Sequence, residues 1–204
     1  MLRISKFTAT NSLAKNDILN ISKFVVKENF KHHVCTNAES SYNLEKDIIS
    51  IYKEEMNYLE NSHIFTLKSN EGEIIGAIRA LKWDYINPLP IQKIFGIDPL
   101  QCIHGHPIHE IWHIGRFAIK KGAGDISLLK KLMVSAIKPI CASKNNIAFA
   151  ECDAKLLRVM QLMGIKTEVV GASIDYLGSE TIPIKMTYKG LIGFYNKNKY
   201  LIGE

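Results

Sequence analysis

The residues from Ile108 to Cys152 constrain the fold of this chain most. "IHEIWHIGRFAIK" reads as a strand, "DISLLKKLMVSAIKPICAS" as an amphipathic helix, and "NIAFAEC" as a short strand. The last run is apolar without alternation, which suits a strand buried on both faces. Upstream, Asn16 or Asp17 caps a helix with Ile18, Ile21, Val25 and Phe30 at broadly helical spacing. A second helix runs from Leu44 to about Leu59, with Ile48, Ile51, Tyr52 and Met56 on one face. "SHIFTLKS" and "EIIGAIRALKW" are strand-like runs joined at Asn70-Glu71-Gly72, a hairpin signal. Downstream, "AKLLRVMQLMG" is a helix that Gly164 stops, and "KTEVVGASIDYL" and "IPIKMTY" form a final strand pair. This order predicts an α/β fold, a central mixed twisted sheet flanked by helices, in a single domain over residues 1–204.

The Pro-rich connection "DYINPLPIQKIFGIDPLQC" is long, and long loops in compact domains are more often functional than idle. The formal charge of +6, from 26 basic and 20 acidic side chains, fits a solvated surface or an anionic partner. Such a partner would be a phosphate-bearing cofactor or an acidic carrier protein. No basic-aromatic ladder or nucleic-acid motif accompanies the charge, so nucleic acid is not expected. Cys35, Cys102, Cys141 and Cys152 are scattered without a CxxC pair, so neither zinc nor a redox dithiol is signalled. The N-terminus has no apolar signal-like core, and no run approaches the roughly 18 apolar residues of a membrane span. A cytoplasmic protein with free thiols is the expectation.

Three residues of the strand carry the chemistry. Alternation puts His109, Ile111, His113, Gly115 and Phe117 on one face, and Glu110, Trp112, Ile114, Arg116 and Ala118 on the other. Gly115 weakens a strand interior and often marks close approach of a ligand or another backbone. Arg116 is costly to bury without a partner, for which Glu110 or Glu151 would serve. His113 shares Gly115's face, and an imidazole suits proton abstraction near neutral pH. The strand runs into Lys120-Lys121-Gly122-Ala123-Gly124-Asp125 and then a helix. Gly-x-Gly before a helix either cradles a phosphate or is a plain turn; Asp125 is a good N-cap, but its carboxylate repels an anion. A metal site is not expected. His104 and His106 lie in a loop, and His109 and His113 on a strand are about 13 Å apart, too far to share one zinc.

"WHIGRFAI", Trp112 to Ile119, resembles the "WELSRFAI"-type strand of acyl-homoserine-lactone synthases, the autoinducer synthases of the GNAT acyltransferase superfamily. "GEIIGAIRAL" resembles that family's "GxVVGCxRLL" strand and places Arg79 on its arginine, and "PLPIQKIFGIDPL" resembles its "GPxMLxDVFPxLL" loop. The resemblance covers roughly residues 62–164. It implies a GNAT-like fold and an acyl chain arriving as a thioester of phosphopantetheine, on an acyl carrier protein or coenzyme A. No tightly bound cofactor is implied. The pantetheine would lie beside Phe117, Ala118 and Ile119, with its phosphate at Gly122 and Gly124. An amine would attack the thioester, the catalytic group comprising His113, Gly115 and Arg116. Arg79, Trp112, Phe95 and Glu110 would contact substrate. The family's glutamate after the Trp is His113 here, its serine is Gly115, and its acidic N-terminal pair is missing. The resemblance therefore implies an N-acyltransferase for a different amine, such as an amino acid, with a long acyl chain. A non-catalytic ligand-binding protein of this fold and a short-chain acetyltransferase are the alternatives.

Overall fold

In a computed structural model, residues 4–10, 14–33, 44–103, 107–123, 125–176 and 179–204 are described. Strands β1 (Ile4–Thr10), β2 (Ser62–Ser69), β3 (Ile74–Lys82), β4 (Glu110–Ile119), β5 (Asn146–Asp153), β6 (Glu168–Val169), β7 (Ile174–Tyr176) and β8 (Ser179–Thr187) form one sheet. The order is β1-β2-β3-β4-β5-β8-β6, with β7 also paired to β8. β4 and β5 run parallel, and the other pairs are antiparallel, so the sheet is mixed as expected. A parallel pair needs a crossover, supplied here by helix α4 (Ile126–Cys141).

Helices cover both faces. On one side α4 packs with α5 (Ala154–Leu162) and α6 (Tyr188–Asn198) over an apolar core that includes Ile78, Trp112, Ile114, Leu132, Ile137 and Phe194. On the other side lie α1 (Lys15–His33), α2 (Leu44–Tyr58) and the short α3 (Pro90–Phe95). Ile18, Ile21 and Val25 of α1 meet Ile64, Ala77 and Ala118 of the sheet. Ile91 of α3 meets Leu81, Ile111 and Phe149.

Two elements go beyond the sequence reading. β1 pairs through the backbone with β2 alone, as an edge strand, and its seven residues precede a clear helical pattern that masks it. α6 carries Gly190 and Gly193, which lower its helix signal. Gly190 has a packing reason: a Cβ there would lie 2.4 Å from the Lys166 carbonyl oxygen. The long connection also contains α3, which ends at Gly96 in the left-handed conformation (φ 68°).

The middle of the sheet opens. β4 pairs with β5 from Glu110↔Asn146 to Ile114↔Ala150 and no further. β4 continues along β3, and β5 along β8 to Asp153↔Thr181. At the point of parting β4 bulges. Ala118 opposes Ala77 and Gly115 opposes Arg79, so Arg116 and Phe117 together face Ile78. Arg116 takes φ 57°, the left-handed region that non-glycine residues seldom adopt.

Candidate functional site

The bulge reassigns the faces of β4. Strict alternation groups Arg116 with Trp112, and Phe117 with His113. In the structure Phe117 packs with Trp112 and Ile114 on the α4 side, and Ala118 meets α1 on the other. Arg116 points to the α2 side, where it meets Glu54 and Glu55 rather than Glu110 or Glu151. The extra residue in the ladder is the cause, because side-chain direction has a period of two and one inserted residue inverts it.

On this side a chain of polar groups runs beneath the opening. The Glu151 carboxylate receives His113 Nε2 at 2.9 and 3.0 Å. His113 Nδ1 lies 3.2 Å from Arg79 Nη2. Arg79 Nη1 is ion-paired to Glu55 Oε1, which also accepts from Arg116 Nε at 2.7 Å. Arg116 Nη2 reaches Glu54, and Lys93 Nζ lies 3.4 Å from the same Glu54 carboxylate. The ring of Tyr58 lies under both cations, 5.5 Å from the Arg79 guanidinium carbon and 4.8 Å from Lys93 Nζ. Arg79 and His113 are 0% and 1% exposed.

Hydrogen-bond chemistry settles the state of the imidazole. A guanidinium donates and cannot accept. His113 Nδ1 therefore accepts from Arg79, and the ring proton sits on Nε2, donated to Glu151. The electrostatics of the cations follow their partners. Burial works against the Arg116 charge, but the Glu55 and Glu54 carboxylates outweigh it and raise its pKa. Burial dominates for Arg79 and lowers its pKa, against the pull of Glu55. Burial would raise the Glu54 pKa, yet Arg116, Arg79 and Lys93 together bring it below its ordinary value. Tyr176 of β7, whose hydroxyl is pushed up first by burial, is within the electrostatic reach of Arg116, Glu54 and Glu151.

The site residues expected from sequence are placed as follows. Gly115 lies against His113: a Cβ would sit 2.9 Å from the imidazole Cε1, so the room above this glycine belongs to the protein's own histidine. Arg79, buried and engaged by Glu55 and His113, has no exposed surface with which to grip a substrate. Trp112 is in the core of the opposite face, 4% exposed, and donates to Glu110. Glu110 sits at the far end of β4 with Lys82 and Asn146, away from the opening. Phe95 packs against the cluster of Leu81, Ile111 and Phe149 on the His113 side. Phe117 and Ile119 lean on the α4 core, while Ala118 is buried against α1.

The turn after β4 is largely engaged with the protein itself. Lys121 N–H donates to the carboxylate of Glu28, and Ala123 N–H to Lys120 O. Asp125 caps α4 by accepting from Ser127 N–H. Gly122 takes φ 88° with open space at its Cβ position, so the turn itself requires glycine. Gly124, His104, His106 and Cys35 lie outside the described residues. His109 is exposed, and both nitrogens of His113 are committed to Arg79 and Glu151. Cys152 is pushed up to about 12, first by burial and then by Asp153 and Glu151, which removes it as a nucleophile at neutral pH.

Glu54, Glu55 and Tyr58 were not among the expected residues. Ile48, Ile51, Glu55 and Tyr58 are the buried positions of α2, at steps of three and four. A glutamate on the apolar stripe was the available signal. Glu151 carried a similar one, as the single acid within an otherwise apolar run from Ile147 to Cys152.

No family model matches the chain, and no curated protein matches it in sequence. Solved structures do. The N-acyl amino acid synthase FeeM from uncultured soil microbes superposes with a TM-score of 0.67, at 13% identity, over 98% of this chain and 99% of that one. The acyl-homoserine-lactone synthase LasI gives 0.58 at 15% identity, over 96% of each chain. BjaI, a coenzyme A-dependent acyl-homoserine lactone synthase solved with SAM and isopentyl-CoA, gives 0.56 at 13% identity, over 91% of this chain and 81% of its own. With its parted β4 and β5 and helices on both faces, the chain has the GNAT-like acyltransferase fold of these synthases.

Proposed function

We propose that the protein is an N-acyltransferase that moves an acyl group from a phosphopantetheine thioester to an amine at the opening between β4 and β5. The observation that carries this reading is the end of the parallel pairing at Ile114↔Ala150, beside His113 and Glu151. Beyond that pair, β4 has backbone that β5 does not cover. The pantetheine lies along Phe117–Ile119, and backbone N–H groups of the bulged segment stabilise the oxyanion, an effect often worth several kcal/mol per well-placed donor. The acyl chain runs over the apolar surface of Phe95, Ile97, Ile103 and Ile108, which pack on Leu81, Ile111 and Phe149. That surface favours a long chain over acetyl.

The acceptor is a small amine, and an amino acid fits best. FeeM, an N-acyl amino acid synthase, shares the fold over nearly the whole chain. Arg116, with a side chain 16% exposed at the bulge, would meet a substrate carboxylate by exchanging its Glu54 partner for it. For the donor, a carrier protein fits better than free coenzyme A. Glu28 and Asp125 supply carboxylates to the turn where a diphosphate would sit, and Lys120 is drawn to Glu73. These like charges oppose an anion of high charge density. No helix among the described residues is long and apolar enough to cross a membrane.

Mass spectrometry of lipids from cells expressing the protein should reveal N-acylated amines or amino acids absent from control cells. With purified protein, an acyl carrier-protein thioester should turn over at lower concentration than the matching acyl-coenzyme A. Thioester binding without thiol release, and no new lipid, would leave the non-catalytic reading in its place.

A further inference from the structure

Resting on the acyl-transfer reading, we infer that the Glu151 carboxylate takes the proton of the attacking amine and that His113 is a positioning residue holding it in place. The sequence points to His113 as the base, but both of its nitrogens are engaged. Nδ1 accepts from Arg79 Nη2 at 3.2 Å, and Nε2–H donates to Glu151 at 2.9 and 3.0 Å. A proton added at Nδ1 would set two donors against each other beside a buried guanidinium. His113 is also enclosed, with a side chain 1% exposed against 11% for Glu151. The reachable end of the pair is the carboxylate. Glu151 is the first β5 residue past the last β4–β5 pair, which places it at the edge of the opening.

The surroundings of Glu151 suit this role. His113 faces it from β4, and Arg79 from β3 and Tyr176 from β7 are within electrostatic reach. Cys152 and Asp153 follow it on β5, and Pro183 opposes it on β8, bringing no charge. Glu55 and Glu54 are tied to Arg79, Arg116 and Lys93, and Lys185 of β8 to Glu168. In the reaction the amine nitrogen bonds to the thioester carbonyl carbon, and its proton passes to Glu151. The C–S bond breaks with its electron pair leaving on sulfur, and the proton then passes from Glu151 to that thiolate. The products are an amide and a free pantetheine thiol, with Glu151 again ionised.

The test uses the full chain with dodecanoyl-coenzyme A and, separately, a dodecanoyl carrier-protein thioester. Pooled amino acids serve as acceptors, and thiol release is the signal. Glu151→Gln should lower kcat by at least about a hundredfold, within the range for a lost general base, with the donor KM changed only a few-fold and the melting temperature kept. His113→Gln retains an acceptor for Arg79 and a donor for Glu151 but cannot act as a base. It should keep more than about a tenth of kcat, whereas His113→Leu should fall toward the Glu151→Gln level. A His113→Gln enzyme as inactive as Glu151→Gln, or a Glu151→Gln enzyme at the wild-type rate, overturns the inference. Nitrogen-15 NMR of the free wild-type protein gives a readout independent of turnover. His113 should carry its proton on Nε2 with Nδ1 bare, and an imidazolium or an Nδ1–H ring overturns the positioning arrangement. Wild-type protein that releases no thiol from either donor sinks the acyl-transfer reading and the Glu151 role together, which distinguishes that failure from an active enzyme with the wrong variant pattern.

Discussion

The two faces of the same three strands bury different things. Toward α4, strands β3, β4 and β5 present Ile78, Ala80, Trp112, Ile114, Ala148 and Ala150 to an apolar helix face. Toward α1 and α2, the same strands present Arg79, His113 and Glu151, joined by Arg116 and answered by Glu55 and Glu54. The first face is held by shape and apolar area, so each side chain contributes roughly in proportion to what it buries. The second is held by partners. Each charge there is tolerable only while its neighbour is present, because desolvation is repaid through the pair. The apolar face can therefore drift by small substitutions, whereas the charged face loses whole links.

The comparison breaks most sharply at Arg79. Arg79→Met leaves the buried Glu55 without one cation and His113 without its donor. Stability should fall by about 3–5 kcal/mol in urea unfolding, the usual cost of stranding a buried charge. The double variant Arg79→Met, Glu55→Gln should lose less than the sum of the two single variants; a loss equal to that sum would mean that the two side chains contribute independently. On the other face, Leu132→Ala in α4, fully buried against β3, should cost about 2–5 kcal/mol through transfer and cavity terms. It should leave the donor KM within a few-fold.

Gly115→Ala tests the seam between structure and chemistry. Its added methyl would lie 2.9 Å from His113 Cε1 and 3.5 Å from Arg79 Nη2 of β3, so overpacking should cost about 1–3 kcal/mol. Turnover should fall further than stability does, because the displaced imidazole releases Glu151. A Gly115→Ala enzyme with normal kcat would mean that the His113 position is not needed. Acid should weaken the charged face through Glu54. The Glu54 pKa is lowered in the folded protein, with Arg116, Arg79 and Lys93 outweighing burial. Its contribution is therefore present above the unfolded value of 4.5 and lost as pH falls through the lower, folded one. The stability gap between wild type and Glu54→Gln should be open at about pH 6 and narrow by about pH 3. The smallest effect belongs to Lys82→Ala. Its pair with Glu110 is half-exposed at the far end of β4, so the cost should be about 0–1 kcal/mol with kcat unchanged.

Much of this was legible in the sequence, for physical reasons. The period-two and helical patterns marked β2 to β4, α1, α2, α4 and α5, because burial on one face leaves a repeating trace, and the continuous apolar run marked β5. The resemblance of "WHIGRFAI" and "GEIIGAIRAL" drew notice to Arg79, His113, Gly115 and Arg116, and these residues do meet in space. Trp112 and Glu110 do not join them, since they face the other way. Glu54 and Glu55 were hidden because a glutamate on a helix is assigned to solvent unless something else claims it.

Local pattern by itself determined which segments become helix or strand, and that one strand carries an arginine, a glycine and a histidine where apolar residues are expected. It could not determine which way those side chains point, or whom they meet. A single bulge at Arg116 inverts every later residue of β4, and that bulge exists only in the register with β3. The partners of the buried charges lie 24, 38 and 61 residues away along the chain, for Arg79 with Glu55, His113 with Glu151 and Arg116 with Glu55. The tautomer of His113 follows from those contacts, because an imidazole takes its proton arrangement from the groups that face it, and only the folded chain brings a guanidinium to one nitrogen and a carboxylate to the other.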